Sequence, residues 1–305
     1  MDDVLRLKRL GRPVSFPVDV VLDTDTYNEI DDQFALAYML GSTDKLNIKA
    51  ITAAPFSNLK AETPAIGMDL SYREIFNVLE LLGKSELGDI VYRGSESYLP
   101  SEIEAVESPA ARRIVELANE RSSEDEPLYI VAIGAISNVA SSILMAPSIV
   151  DRIVVVWLGG HAYEWPRNDE FNLKQDVAAA RVVFDSGVPL VQLPCMGVVS
   201  SFYTTGPELE HHINGKNAFC DYMCHVTEKE ALSFNQGKCW RRVIWDVTAV
   251  AWLLDEDITK SYLVPAPVCE YDNRYAFDRT RHLIRYVYWI DREKIFADLF
   301  DKISK

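Results

Sequence analysis

Short β-branched runs and longer Ala- and Leu-rich runs take turns along the first two thirds of the chain. Val18 to Leu22 is apolar and passes at once into acids and polar residues, the pattern of a buried strand entering a loop. The period then changes. Asp31 to Leu40 (DDQFALAYML) has no Gly or Pro, opens on two acids that suit the positive end of a helix, and is closed by Gly41. The same alternation predicts strands over 48–53, 89–93, 128–133, 153–158 and 189–193, and helices over 62–82, 110–119, 138–145 and 176–185. The run IVVVWL at 153–158 is apolar on both faces, as a central parallel strand covered on both sides must be.

The remainder is less regular. Helices are expected over 207–212, 217–234 and 246–254, and a strand over 282–290. Ile295, Phe296, Leu299, Phe300 and Ile303 give 292–305 the stripe of an amphipathic helix. Strands alternating with helices at this cadence predict right-handed βαβ units. The fold class is therefore α/β, an open, mostly parallel Rossmann-like sheet flanked by helices. No repeat, low-complexity tract or Gly/Ser linker interrupts it, so 1–305 reads as a single domain. Ligands on such sheets sit at the carboxyl ends of the strands.

Charge narrows the functions. Among 305 residues, 31 Lys and Arg face 46 Asp and Glu, a net charge of −15, which opposes nucleic acid and anionic membrane as partners. No stretch approaches the roughly 18 apolar residues of a spanning helix. The opening MDDVLRLKRLGRPVSFP lacks the apolar core of a secretory signal, so a cytoplasmic protein is expected. Five cysteines are an odd count that fits reduced thiols. Cys220, Cys224, His225 and Cys239 invite a metal reading, but there is no CxxC pair and the i,i+4 spacing favours packing on one helix face.

The chemistry concentrates just beyond the first strand, where Asp23, Asp25, Asp31 and Asp32 fall within ten residues. Like charges at that density call for something positive between them, most simply a divalent cation. All-oxygen donors select Ca²⁺ or Mg²⁺ over zinc. The bland alternative is a solvated acidic loop with helix-capping acids. Haloacid-dehalogenase-type phosphatases also place Asp-x-Asp at a strand end, but they expect Thr or Val where Tyr27 stands.

A second scheme covers more of the chain. DTD followed by a DD pair that opens an Ala/Leu-rich helix resembles the inosine-uridine-type nucleoside hydrolases. VAIGAISNVA at 131–140 is similar to that family's Ala-Thr-Gly-Pro-Leu-Thr-Asn segment, and WLGG at 157–160 to its Met-Gly-Gly strand end. EFN at 170–172 with the following DVAAARVVF, and WDVTAVAWLL from Trp245, resemble its Glu-Phe-Asn and His-Asp blocks. These blocks keep the family's order from about residue 18 to 255. The resemblance implies one Ca²⁺ held by Asp25, Asp32, Asp246 and the main-chain carbonyl of Ile133, with Asp25 also the general base toward a metal-bound water. It implies sugar-hydroxyl contacts from Asp31, Glu170, Asn172 and Asn58, with Asp23 ordering the loop. It further implies a small riboside or nucleoside as substrate and a homodimer or homotetramer. The reaction passes through an oxocarbenium-like sugar that surrounding carboxylates stabilise.

The chain departs from the pattern twice. Five residues, TYNEI, separate Asp25 from Asp31 where three are usual, which brings Asn28 and Glu29 toward the metal. Trp245 stands where the family has its acid His, and an indole stacks on a ring but donates no catalytic proton. His161, Glu164, Asp169 and His225 are candidate replacement acids, and Tyr163, Trp165 and Trp240 candidate leaving-group contacts, each balanced against simple packing. Two other outcomes stay open: a hydrolase of another carbohydrate glycoside, and a non-catalytic Ca²⁺-dependent sugar or nucleoside binder.

Overall fold

A computed structural model describes residues 1–235 and 239–305. Its centre is an eight-stranded sheet in the order β3-β2-β1-β4-β5-β6-β12-β9. The first six strands are β1 (Val18–Thr24), β2 (Leu46–Ala53), β3 (Val91–Tyr92), β4 (Leu128–Ala132), β5 (Ile153–Leu158) and β6 (Leu190–Leu193). Two-residue strands β7 (Tyr203–Thr204) and β8 (Arg242–Val243) pair separately, and β10 (Val268–Glu270) and β11 (Arg274–Ala276) form a hairpin. β12 (Leu283–Ile290) runs parallel to β6, and β9 (Thr259–Pro265) closes the sheet antiparallel to β12.

Strand alternation sorts side chains into two cores. Val20, Leu22, Val131, Val154 and Val156 face one side. There they pack on α2 (Asp31–Leu40), α3 (Pro64–Leu81), α10 (Val247–Leu254) and α11 (Arg292–Ile303). Val21, Ile130, Val155 and Trp157 face the other, against α4 (Pro109–Asn119), α5 (Ser137–Met145) and α7 (Val177–Asp185). The remaining helices are α1 (Asp3–Arg9), the short α6 (Phe171–Gln175), α8 (Gly206–His212) and α9 (Ala218–Asn235). Among the described residues no helix is long and apolar enough to cross a membrane.

The departures from expectation have local causes. The helix expected from residue 62 starts at Pro64 because Thr63 caps it, accepting the Ile66 N–H. The strand expected over 89–93 shrinks to two residues, since Ser85–Ile90 forms a 3₁₀ turn and only Ile51 and Thr52 pair with Val91 and Tyr92. The C-terminal third supplies β9 and the β10–β11 hairpin, which the sequence pattern did not announce.

Candidate active site

The chain leaves β1 toward β2 on one side and later returns to place β4 on the other. The loops after β1 and β4 therefore diverge and open a crevice, the usual ligand position in such sheets. Into it project Asp25 from the end of β1, Asp31 and Asp32 from the first turn of α2, and Asp246 from the cap of α10. Both helices direct their positive ends at these carboxylates. The cavity holds about 240 Å³ and is also lined by Ile133, Leu158, His161, Glu170, Asn172 and Trp245.

Ligand oxygens of Asp31, Asp32 and Asp246 all lie within 4.8 Å of one another, and the three side chains are buried. Asp25 is 1% exposed beside them, and its Oδ2 has no hydrogen-bond partner. Burial, reinforced by the neighbouring carboxylates, drives Asp25, Asp31 and Asp246 well above the usual carboxylate range. Asp32 is pushed up to about 7, chiefly by burial, although the Thr24 hydroxyl donates to it. Four buried carboxylates resist ionising together. An all-oxygen donor set with one orphaned carboxylate oxygen fits a hard divalent cation that removes this cost.

Asp23 points away from the cluster. Its Oδ1 accepts from Thr52 Oγ1 at 2.6 Å and Asn138 Nδ2 at 2.8 Å, tying β1 to β2 and α5. Glu170 receives three backbone N–H groups, from Gly160, Asn172 and Leu173, each at 2.8 Å. Asn172 Nδ2 donates to the carbonyls of Ile133 and Leu158, both at 3.0 Å, so it clamps the ends of β4 and β5 while its residue lines the cavity. Gly160 turns the chain out of β5 with φ +77°, and a Cβ there would strike Tyr275 Oη.

The sequence profile described as inosine-uridine preferring nucleoside hydrolase matches residues 20–296. The chain belongs to this family. The pyrimidine-specific ribonucleoside hydrolase RihA of Citrobacter koseri is 30% identical over 181 residues, 53% of this chain and 55% of that protein. A putative pyrimidine-specific ribonucleoside hydrolase, RihB of Shigella boydii, is 40% identical over 74 residues, 23% of this chain and 31% of that protein. The chain thus spans about half the length or less of these relatives. Two solved structures share the fold. The plant nucleoside hydrolase PpNRh1 has a TM-score of 0.74 at 18% identity, covering 95% of this chain and 99% of that one. The purine-preferring ribonucleoside hydrolase from Gardnerella vaginalis has 0.73 at 21%, covering 94% and 98%.

In this nucleoside hydrolase family member, the residues singled out from the sequence fall into two groups. Asp25, Asp31, Asp32, Ile133, Glu170, Asn172, Trp245 and Asp246 meet in the one cavity. Asn58 is not among its lining residues. It stands behind Asn28, donating to Asn28 Oδ1 at 2.8 Å, and it is Asn28 that reaches the cavity. Glu29 lines it too and is held by Arg242 at 2.7 Å. Of the candidate acids His161 and Asp169 line the cavity, whereas His225 lines a separate groove with Lys229 and Glu230. Tyr163 packs among Tyr275, Phe277 and Tyr286, and Trp240 lies against Gly206. Among the described residues, the one group of acids, His and Cys placed to share a cation is the aspartate triad, so the Cys220–Cys224–His225–Cys239 grouping does not form. Phe171, inside the EFN block, lines the cavity as well, as do Cys195 and Met196, which nothing in their apolar surroundings marked in the sequence.

Proposed function

We propose that this chain hydrolyses the N-glycosidic bond of ribonucleosides or related ribosides with Ca²⁺ at the aspartate cluster. The observation that carries the reading is the convergence of Asp25, Asp31 and Asp32 with Asp246, more than two hundred residues away in the chain, in one cavity at the switch point of the sheet. Asp25, Asp32, Asp246 and the Ile133 carbonyl are the ligand set. A cation there supplies charge neutralisation and lowers the pKa of a coordinated water. Asp25, with its free Oδ2, accepts the proton of the attacking water. Asp31, Glu170 and Asn172 hold the sugar hydroxyls, with Asn58 acting through Asn28. Their negative charge and oriented amides stabilise the positive charge that grows at C1′. Trp245 offers its indole face to the leaving heterocycle.

The test is ribose release from uridine, inosine and p-nitrophenyl riboside, with Ca²⁺ and with chelator. Chelator-sensitive release is expected. Asp25→Asn should cost ~100- to 10,000-fold in kcat while the variant still melts cooperatively. Absence of release from all three with Ca²⁺ bound, as followed by calorimetry, overturns hydrolysis and leaves a Ca²⁺-dependent binder.

A further inference from the structure

The loop between Asp25 and Asp31 is held from outside the cavity. Two of its residues, Asn28 and Glu29, line the cavity, and behind them two cations and two carboxylates alternate. Lys60 Nζ donates to the Asn28 carbonyl at 2.6 Å and pairs with Glu230 of α9 at 3.1 Å. Arg242 Nη2 then bridges Glu230 Oε1 at 2.6 Å and Glu29 Oε2 at 2.7 Å. The four charges cancel, so Glu29 stands beside the aspartates without adding net charge. The side chains of Arg242 and Glu230 are only 16% and 12% exposed, and a pair so placed holds its geometry better than one on the open surface.

A second row of contacts fixes direction. The Lys60 N–H donates to Asn58 Oδ1 at 2.7 Å, which leaves the Asn58 amide nitrogen to donate to Asn28 Oδ1 at 2.8 Å. Asn28 therefore presents its own Nδ2, a donor. Glu29 has Oε2 on Arg242 and keeps Oε1, an acceptor. Among the described residues neither Asn28 Nδ2 nor Glu29 Oε1 has a hydrogen-bond partner, and neither is sealed from solvent. A donor and an acceptor on adjacent residues match a hydroxyl, which needs one of each.

Building on the hydrolase reading, we propose that Asn28 Nδ2 and Glu29 Oε1 together bind one hydroxyl of the sugar, and that Lys60, Glu230 and Arg242 are positioning residues that hold this pair through the loop. The lengthened loop is thus a specificity element for the glycone. A sugar lacking that hydroxyl leaves both groups desolvated and unpaired, so the discrimination is strong. Arg242 and Asp246 lie on one short segment, which carries both the anchor of the loop and a carboxylate of the aspartate cluster.

The experiment measures kcat and KM for uridine and its 2′-, 3′- and 5′-deoxy analogues on the Ca²⁺-loaded parent and on Asn28→Ala, Glu29→Gln and Arg242→Met, with Ca²⁺ affinity followed by calorimetry. Asn28→Ala and Glu29→Gln should each lower kcat/KM for uridine about 10- to 100-fold. For one deoxy analogue, and only one, the parent should already be as slow as the variants, so that the substitutions cost nothing further. Arg242→Met should reproduce Glu29→Gln, and the double variant should be no slower than either. Arg242→Lys, which keeps the charge, should recover part of the loss and serves where the Met variant does not fold. Equal losses on all four substrates, or additive losses in the double variant, overturn the proposal. So does a Ca²⁺ affinity that falls as far as activity in Glu29→Gln, since Glu29 is then a metal ligand. If uridine is not cleaved at all, the hydrolase reading fails by itself, and calorimetric titration with the same four nucleosides reads the same pattern of losses in binding.

Discussion

Gly134 shows how little room the site leaves at single residues. A Cβ built on it lies 2.9 Å from Asp25 Oδ1, closer than real side chains approach, and 3.0 Å from the Ala54 Cβ, tighter than nearly all of them. The absence of a side chain is what lets the carboxylate of Asp25 sit against the end of β4. Gly134→Ala should therefore displace Asp25 and lower kcat/KM by about 100-fold, the usual cost of a misplaced catalytic group. The backbone is not in the left-handed region there, so the melting temperature should change far less than activity. Parallel measurement of kinetics and thermal unfolding checks this, and full activity in the variant would mean that Asp25 tolerates a shift. Legibility at this scale followed charge. Asp25, Asp31 and Asp32 stood out because acids so close in sequence need a reason to be together. Cys195 and Met196 did not, because a residue at an apolar strand end looks the same whether it faces a cavity or a core.

At the scale of elements, capping decides where helices begin and also stitches them together. Asp176, 3% exposed, caps α7 by accepting the Ala179 N–H at 2.9 Å. Its other oxygen accepts Leu99 N at 2.9 Å and the Ser137 hydroxyl at 2.6 Å, joining α7 to α5 and to the long loop before α4. Asp176→Ala strips partners from three buried donors at once and should destabilise the fold by about 3 kcal/mol or more, read as a lower urea midpoint. Asp176→Asn keeps the shape and the acceptor oxygen and should recover part of the loss. Helices on both faces were legible because such acids, and Pro64 at the start of α3, mark where they begin. β9 was not, since an edge strand with mixed exposure lacks strict alternation, and the β10–β11 hairpin turns at Asn273 with φ +61° rather than at a Gly. The short α6 was hidden as well, because five residues are too few to show a helical period and a capping Glu is less usual than Ser, Thr, Asp or Asn.

The whole molecule brings together what spacing along the chain cannot. Nothing near residue 246 says that Asp246 meets Asp32. The resemblance of whole blocks did, and the sheet order supplies the physical reason, since α10 packs against α2 on one face. His282 is a second meeting point, just before β12, where Arg6 of α1 and Arg281 face it together with Asp3 and Asp185. Burial, helped by the two arginines, lowers its pKa from 6.5 to about 4, and its Nε2 has no partner. Above pH 6.5 the imidazole is neutral in both folded and unfolded chains and the group is indifferent to folding. As pH falls from 6.5 toward 4, the unfolded chain takes up a proton that the folded one refuses, so stability declines through this window and the loss is complete below pH 4. The raised aspartates of the active site work in the opposite sense, because their folded form gains protons first, and they mask the effect in a simple pH scan. The difference between the parent and His282→Gln removes them. The variant should be the more acid-resistant of the two, gaining about 2 kcal/mol relative to the parent between pH 7 and pH 4 after allowance for solvent screening. Urea denaturation at pH 7, 5 and 4 reads this directly, and parallel curves for the two proteins would mean that His282 titrates alike in the folded and unfolded chains.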